Sequence, residues 1–367
     1  MADPDFAGLP VATRRVIERG IAGAVRPGPE LTPVQVRVLE AVGRAVLGVP
    51  VDAAHLEPAS AEELAEALAE VDAAVRQRVV QLMLMLELLL HPLPEEVVEH
   101  VAAYARALHV EEGLLDVARD YAHQAYGLAL KDLQRKGYFA DWDHHGRIED
   151  RLHTHKHLSE PYEVDDHDPE LEARWRGLER CAPGTLGRKV WAYYRSRGFI
   201  FPGAEGSVSP MLAQHDWIHV LADYGTVVDS EVEVFGFIAS AIPDPRGFSF
   251  LVAVLGLFET GTIREDAGGV LQADEHHLQR DGMAERLADA LRRGRLCHRD
   301  VMTGIDYFEL VDLPLDEARR RLGIVPKSAE AIRAGSVGID DPEGITGTQR
   351  ANGDPTYQPP AGASPDR

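Results

Sequence analysis

Two histidines four residues apart, His215 and His219, with Glu231 twelve positions further on, constrain this chain more than any other stretch. On a helix, residues i and i+4 stack on one face, so both imidazoles can aim at one point, with Asp216 beside them. The eleven residues before Glu231 include Asp223-Tyr224-Gly225-Thr226 and then Asp229-Ser230, a turn followed by a helix cap. Glu231 then opens a second helix that folds back onto the first. Two imidazoles and two carboxylates suit zinc, iron or manganese better than magnesium, and zinc is the expected divalent ion. A surface coincidence or a hydrogen-bonded core pair is the bland alternative for such a spacing.

The remaining chain also reads as helical. Val11 to Val25 is an amphipathic arm within residues 1–30, ended by Pro27-Gly28-Pro29. Thr32-Pro33 is a cap with proline at the first helical position, followed by Val34, Val38, Leu39, Val42 and Val46 at helical spacing. Ser60-Ala61-Glu62-Glu63 is a capping box, and helices are expected over 76–90, 95–108 and 111–130. Residues 31–137 thus form a helical bundle with no catalytic cluster, taken as an accessory domain.

Residues 138–170 are a His/Asp-rich linker carrying His144, His145, His153, His155, His157 and His167. A second metal site is the alternative to a solvated connection. Residues 171–325 form the second domain. In it Gly184-Thr185-Leu186-Gly187-Arg188 opens an aromatic-bearing helix and is a weak candidate for cradling a phosphate or head group. From Pro326 to Arg367 the proline and glycine content predicts a disordered tail. The fold class is therefore all-α, with two helical domains.

Composition excludes several functions. A formal charge of -22 argues against nucleic acid as a partner. Only Cys181 and Cys297 are present, so there is no disulfide framework and no thiolate metal site. The runs 79–90 and 248–258 are too short to span a bilayer, and the N-terminus lacks a signal peptide. A cytoplasmic location is expected, with peripheral contact at the inner face of a membrane left open.

His215-Asp216-Trp217-Ile218-His219, eleven residues, then Glu231 resembles the H-D-x-x-H…E signature of the coenzyme Q (ubiquinone) biosynthesis family of Coq-four proteins. Gly184 to Arg188 resembles that family's P-E-G-T-L-G-R, and Leu255-Gly256-Leu257-Phe258 its L-G-x-x-F-G, with the phenylalanine one place early. Asp312 to Ile324 is similar to its E-x-P-L-x-x-L-R-x-E-L-G-I. Asp306-Tyr307-Phe308-Glu309 keeps one acid of Y-W-E-E, and the arginine- and tyrosine-bearing turn before the signature is replaced by Ser209 to Gln214. The likeness covers residues 171–325 and marks a divergent member. The first bundle weakly resembles TerB-like domains, without their acidic-glycine turn.

This resemblance implies a metal held by His215, Asp216, His219 and Glu231 beside an apolar cavity for a polyprenyl chain. Phe235, Phe237, Leu255 and Phe258 are the candidates to line that cavity. The implied substrate is a prenylated aromatic ring or another isoprenoid lipid, and the implied chemistry oxidative decarboxylation. Partner enzymes of a biosynthetic complex and a homodimer fit the same reading. The alternatives are a non-catalytic isoprenoid-lipid scaffold and an HD-type phosphohydrolase, for which His167 and Asp229 would have to join the cluster.

Overall fold

Helical spacing in the sequence becomes helix throughout the computed structural model, which describes residues 6–138, 140, 146–154, 156, 160–263 and 273–354. Among these residues there are seventeen α-helices and no sheet, only an isolated bridge between Thr185 and Pro314. The fold is all-α.

Helices α1 (Val11–Val25), α2 (Pro33–Val42), α3 (Ala61–Ala67), α4 (Ala73–Glu87) and α5 (Glu95–Ala107) build the first bundle. Their starts follow the local chemistry. Thr32 and Gln35 form a reciprocal capping box with Pro33 at the first position, and Ser60 accepts the Glu63 N–H. The single helix expected over 111–130 is two, α6 (Leu115–Ala122) and α7 (Tyr126–Lys136). Gln124 between them takes a left-handed φ of 56°, and the Ala125 N–H returns to the Asp120 carbonyl, closing the first helix.

The apolar run in α4 is buried along its length. Val79, Val80, Leu84 and Leu86 are each fully covered, a burial worth roughly 1.5 to 3 kcal/mol per side chain. Glu87 lies inside the same run, and burial raises its carboxyl pKa well above the ordinary value.

Beyond α8 (Gly146–Leu152) follow α9 (Pro169–Gly177), α10 (Leu186–Arg197), α11 (Pro210–Ala222), α12 (Val228–Ala241), α13 (Ser249–Phe258) and α14 (Met283–Cys297). Helix α12 packs along α14 at close range. A Cβ on Gly294 would lie 2.2 Å from the Phe237 carbonyl oxygen, so only glycine allows this crossing. One hydrophobic core runs from Phe6 to Ile339 and joins both halves. Gln81 of α4 donates to the Pro245 carbonyl at 2.8 Å, and Arg44 pairs with Glu285 of α14 at 3.3 Å.

The tail expected to be disordered is ordered as far as residue 354. After α15 (Leu315–Leu322) come α16 (Ala329–Arg333) and α17 (Gly347–Asn352), the latter opened by a capping box of Thr346 and Gln349. Its glycines serve close packing: a Cβ on Gly338 would meet the Asp223 carboxylate at 2.7 Å. Residues 355–367 lie outside the described residues, as do His144, His145, His155 and His157. No described helix is long and apolar enough to cross a membrane.

Candidate metal centre

The histidine pair sits on α11 because its start is tightly specified. Ser209 accepts the Leu212 N–H, and Pro210 supplies a preset φ at the first position. The helix ends at Asp223, which takes a left-handed φ of 61°. Five residues later α12 begins, placing Asp229 and Glu231 in its first turn, where the helix dipole favours anions. The helix, turn and returning helix required by the spacing are therefore present.

Within this hairpin one ligand atom each from His215, Asp216 and His219 lie within 4.8 Å of one another. Glu231 faces both imidazoles, with Oε2 3.8 Å from His215 Nε2 and Oε1 3.5 Å from His219 Nε2. Each ring has one nitrogen anchored on a backbone carbonyl. His219 Nδ1 faces the Tyr224 carbonyl at 3.3 Å and His215 Nδ1 faces the Leu212 carbonyl. A carbonyl only accepts, so each Nδ1 carries a proton and each Nε2 is the nitrogen turned toward Glu231. This is the arrangement in which a backbone carbonyl orients a ligating imidazole.

His219 is fully buried, and its Nε2 and Glu231 Oε2 have no hydrogen-bond partner. Two buried polar atoms left so are costly unless a further group satisfies them. Burial works against charge on His215, yet Asp216 and Glu231 raise its pKa to about 9. Burial likewise opposes ionisation of Glu231, but His219 and His215 hold its pKa at about 2. Two imidazoles and two carboxylates around one point are a donor set of the kind that divalent transition ions take.

Asp216 is held from outside the hairpin. Tyr193 and Tyr194, adjacent on α10, donate their hydroxyls to its two oxygens at 3.1 and 2.5 Å. Tyr193 also stacks on the His219 ring, and Phe235 stacks on His215 with 5.3 Å between centroids. These tyrosines were not singled out as site residues in the sequence. Their one signal was the adjacent pair in an aromatic-bearing helix.

The other candidates lie elsewhere. Phe237 is buried beside Arg293, Phe258 lies against His277, and Leu255 is enclosed in the core. Of the four residues expected to line a lipid cavity, Phe235 is the one whose ring stacks on His215. The Gly184–Arg188 turn has spent its donors: the N–H groups of Leu186, Gly187 and Arg188 go to the Leu313 carbonyl, the Val311 carbonyl and the Thr185 hydroxyl. Arg188 itself bonds the Glu179 carbonyl and stacks on Trp191.

His153 pairs with Asp306 at 2.7 Å and His167 with Glu172 at 2.6 Å, so neither joins the cluster. Asp229 is taken by His277 at 2.5 Å and by Arg280 and Arg286. The segment before α14 thus reaches the start of α12 through His277, which also pairs with Asp274 at 2.7 Å.

No family model matches this chain, and no curated protein sequence does. Among solved structures it is similar to a "Putative ubiquinone biosynthesis protein" from Nostoc punctiforme. That likeness has 17% identity over 67% of this chain and 97% of the other, with a TM-score of 0.27.

Proposed function

We propose that this protein binds a divalent transition metal, zinc first, through His215, His219 and Glu231 with Asp216 alongside. The observation that carries this is that His219 Nε2 and Glu231 Oε2 are buried without a hydrogen-bond partner in a cluster where Glu231 faces both imidazoles, Oε1 3.5 Å from His219 Nε2 and Oε2 3.8 Å from His215 Nε2. The sequence resemblance to the ubiquinone biosynthesis family supports a role in prenyl-quinone metabolism, acting on a prenylated aromatic ring by oxidative decarboxylation. In that step the ring carboxylate would leave as carbon dioxide and molecular oxygen would be the oxidant that installs a hydroxyl.

When bound, such an ion acts as a Lewis acid that stabilises negative charge developing on a ring carboxylate or phenolate. The chain's own residues do the rest. Tyr193 and Tyr194 fix the Asp216 carboxylate, the Leu212 and Tyr224 carbonyls fix the imidazoles, and Phe235 and Tyr193 screen both rings from water. His215 is the more exposed histidine, with 14% of its side chain accessible, so a ligand head group approaches there.

The enclosure of the cluster favours a second reading, a non-catalytic scaffold that grips the head of an isoprenoid lipid, because closed sites are the structural kind. Extraction of co-purifying lipid followed by mass spectrometry tests both. A polyprenyl compound converted on incubation with oxygen supports the enzyme, an unchanged one supports the scaffold, and no isoprenoid at all removes both.

A further inference from the structure

The segment after α16 closes over the hairpin that carries the cluster. The Ser336 hydroxyl donates to Glu233, two residues beyond Glu231. The Val337 carbonyl accepts the Gly225 N–H at 3.2 Å, and the Ile339 N–H donates to the Asp223 carboxylate at 3.2 Å. Thr226 is a junction: its N–H donates to the Gly344 carbonyl at 2.6 Å, its hydroxyl donates to Gln349 at 2.7 Å, and its hydroxyl oxygen accepts from Arg197 Nε of α10 at 3.0 Å. The backbones meet so closely that a Cβ on Gly225 would lie 2.6 Å from the Gly344 Cα.

The same segment holds α10. Asp340 pairs with Lys189 at 2.6 Å, the Ile339 carbonyl accepts from Arg197 at 2.9 Å, and the Asp354 N–H donates to the Arg195 carbonyl at 2.9 Å. Helix α10 carries the two tyrosines on Asp216, and the 223–227 turn sets the angle between α11 and α12. That turn also supplies the Tyr224 carbonyl that fixes His219. One segment thus touches both supports of the cluster without contributing a ligand.

We infer that residues 336–354 are the positioning element of the metal centre, with Thr226 and Gln349 as its key pair. The inference rests on the metal reading above. Groups that orient ligands from behind are worth roughly 10- to 100-fold in metal affinity.

The test uses the full chain with Thr226→Val, Thr226→Ser and Gln349→Leu, the last replacing Thr226→Val should that variant not fold. Val101→Ala, fully buried in α5, is the control for stability alone. Cobalt(II) titration followed by its ligand-field absorption reads affinity and coordination, and hydrogen exchange of peptides over 220–235 reads the hairpin. In Thr226→Val the hairpin amides should exchange at least roughly tenfold faster and cobalt(II) should bind about tenfold or more weakly with a shifted band, as expected for lost support behind a ligand. Thr226→Ser should restore both, and Val101→Ala should leave the band unmoved. Unchanged hairpin exchange in Thr226→Val overturns the inference whatever the metal does, and so does unchanged cobalt(II) binding beside faster exchange. A band shift in Val101→Ala equal to that in Thr226→Val overturns it too. Wild-type protein that binds no cobalt(II) defeats the metal reading instead, and hydrogen exchange then decides alone whether the segment holds the hairpin.

Discussion

Tyr193 donates its hydroxyl to Asp216 across 3.1 Å while its ring stacks on His219. One side chain of α10 thereby touches two members of the cluster. Tyr193→Phe keeps the stacking and removes a hydrogen bond to a buried carboxylate, a loss of about 1.5 to 3 kcal/mol. Chemical denaturation of the metal-free protein should show a drop of that size, and Tyr194→Phe a similar one. No change in either would show that Asp216 is not held from α10.

Glu231 is the anion both imidazoles face. Glu231→Gln keeps the shape and removes the charge, so the His215 pKa should fall from about 9 toward the ordinary imidazole range. NMR titration of the His215 ring in metal-free protein measures this directly. A His215 titration that stays put would mean that Glu231 does not set the charge of the pocket.

Glu233, two residues beyond Glu231 on α12, is fully buried against Arg286 at 2.6 Å. Removing one partner strands a buried charge, so Arg286→Met should cost about 3 to 5 kcal/mol. Adding Glu233→Leu to that variant should recover most of the loss in a double-mutant cycle. Strictly additive losses would show that the two groups are not coupled.

Glu18 lies buried in α1 with one carboxylate oxygen unpartnered. Burial raises its pKa from 4.5 to about 7 against the lowering pull of Arg15 and Arg14. The folded chain then binds more protons than the unfolded one between these values. Its contribution is full below pH 4.5 and is lost as pH rises through about 7, at most about 3 kcal/mol. Urea denaturation of wild type and Glu18→Gln at pH 4.5 and 8 should show the variant gaining relative stability at the higher pH. A difference independent of pH would contradict the raised pKa.

The hairpin was legible because its geometry is local. The spacing of His215 and His219 fixes one helical face, and Asp223 to Ser230 announces the turn that brings Glu231 back. Contacts made over long separation were not legible. Nothing near Gly184 signals that the Leu313 and Val311 carbonyls cap the same helix start. Tyr193 and Tyr194 read only as aromatic residues of a helix until α11 packs against them. Residues 326–354 were misjudged because glycine and proline were weighed as breakers, whereas Gly344 admits close backbone contact and Pro342 starts a helical turn. The capping box of Thr346 and Gln349 was a readable sign of order there.

The central claim is the metal centre, and anomalous X-ray scattering at the zinc edge tests it most directly, on crystals of the full chain grown with zinc. The expected result is an anomalous peak within coordination distance of His215 Nε2, His219 Nε2 and a Glu231 oxygen, absent from His219→Ala crystals prepared alike. A map with no peak there, or a peak that persists at equal height in His219→Ala, would contradict the account.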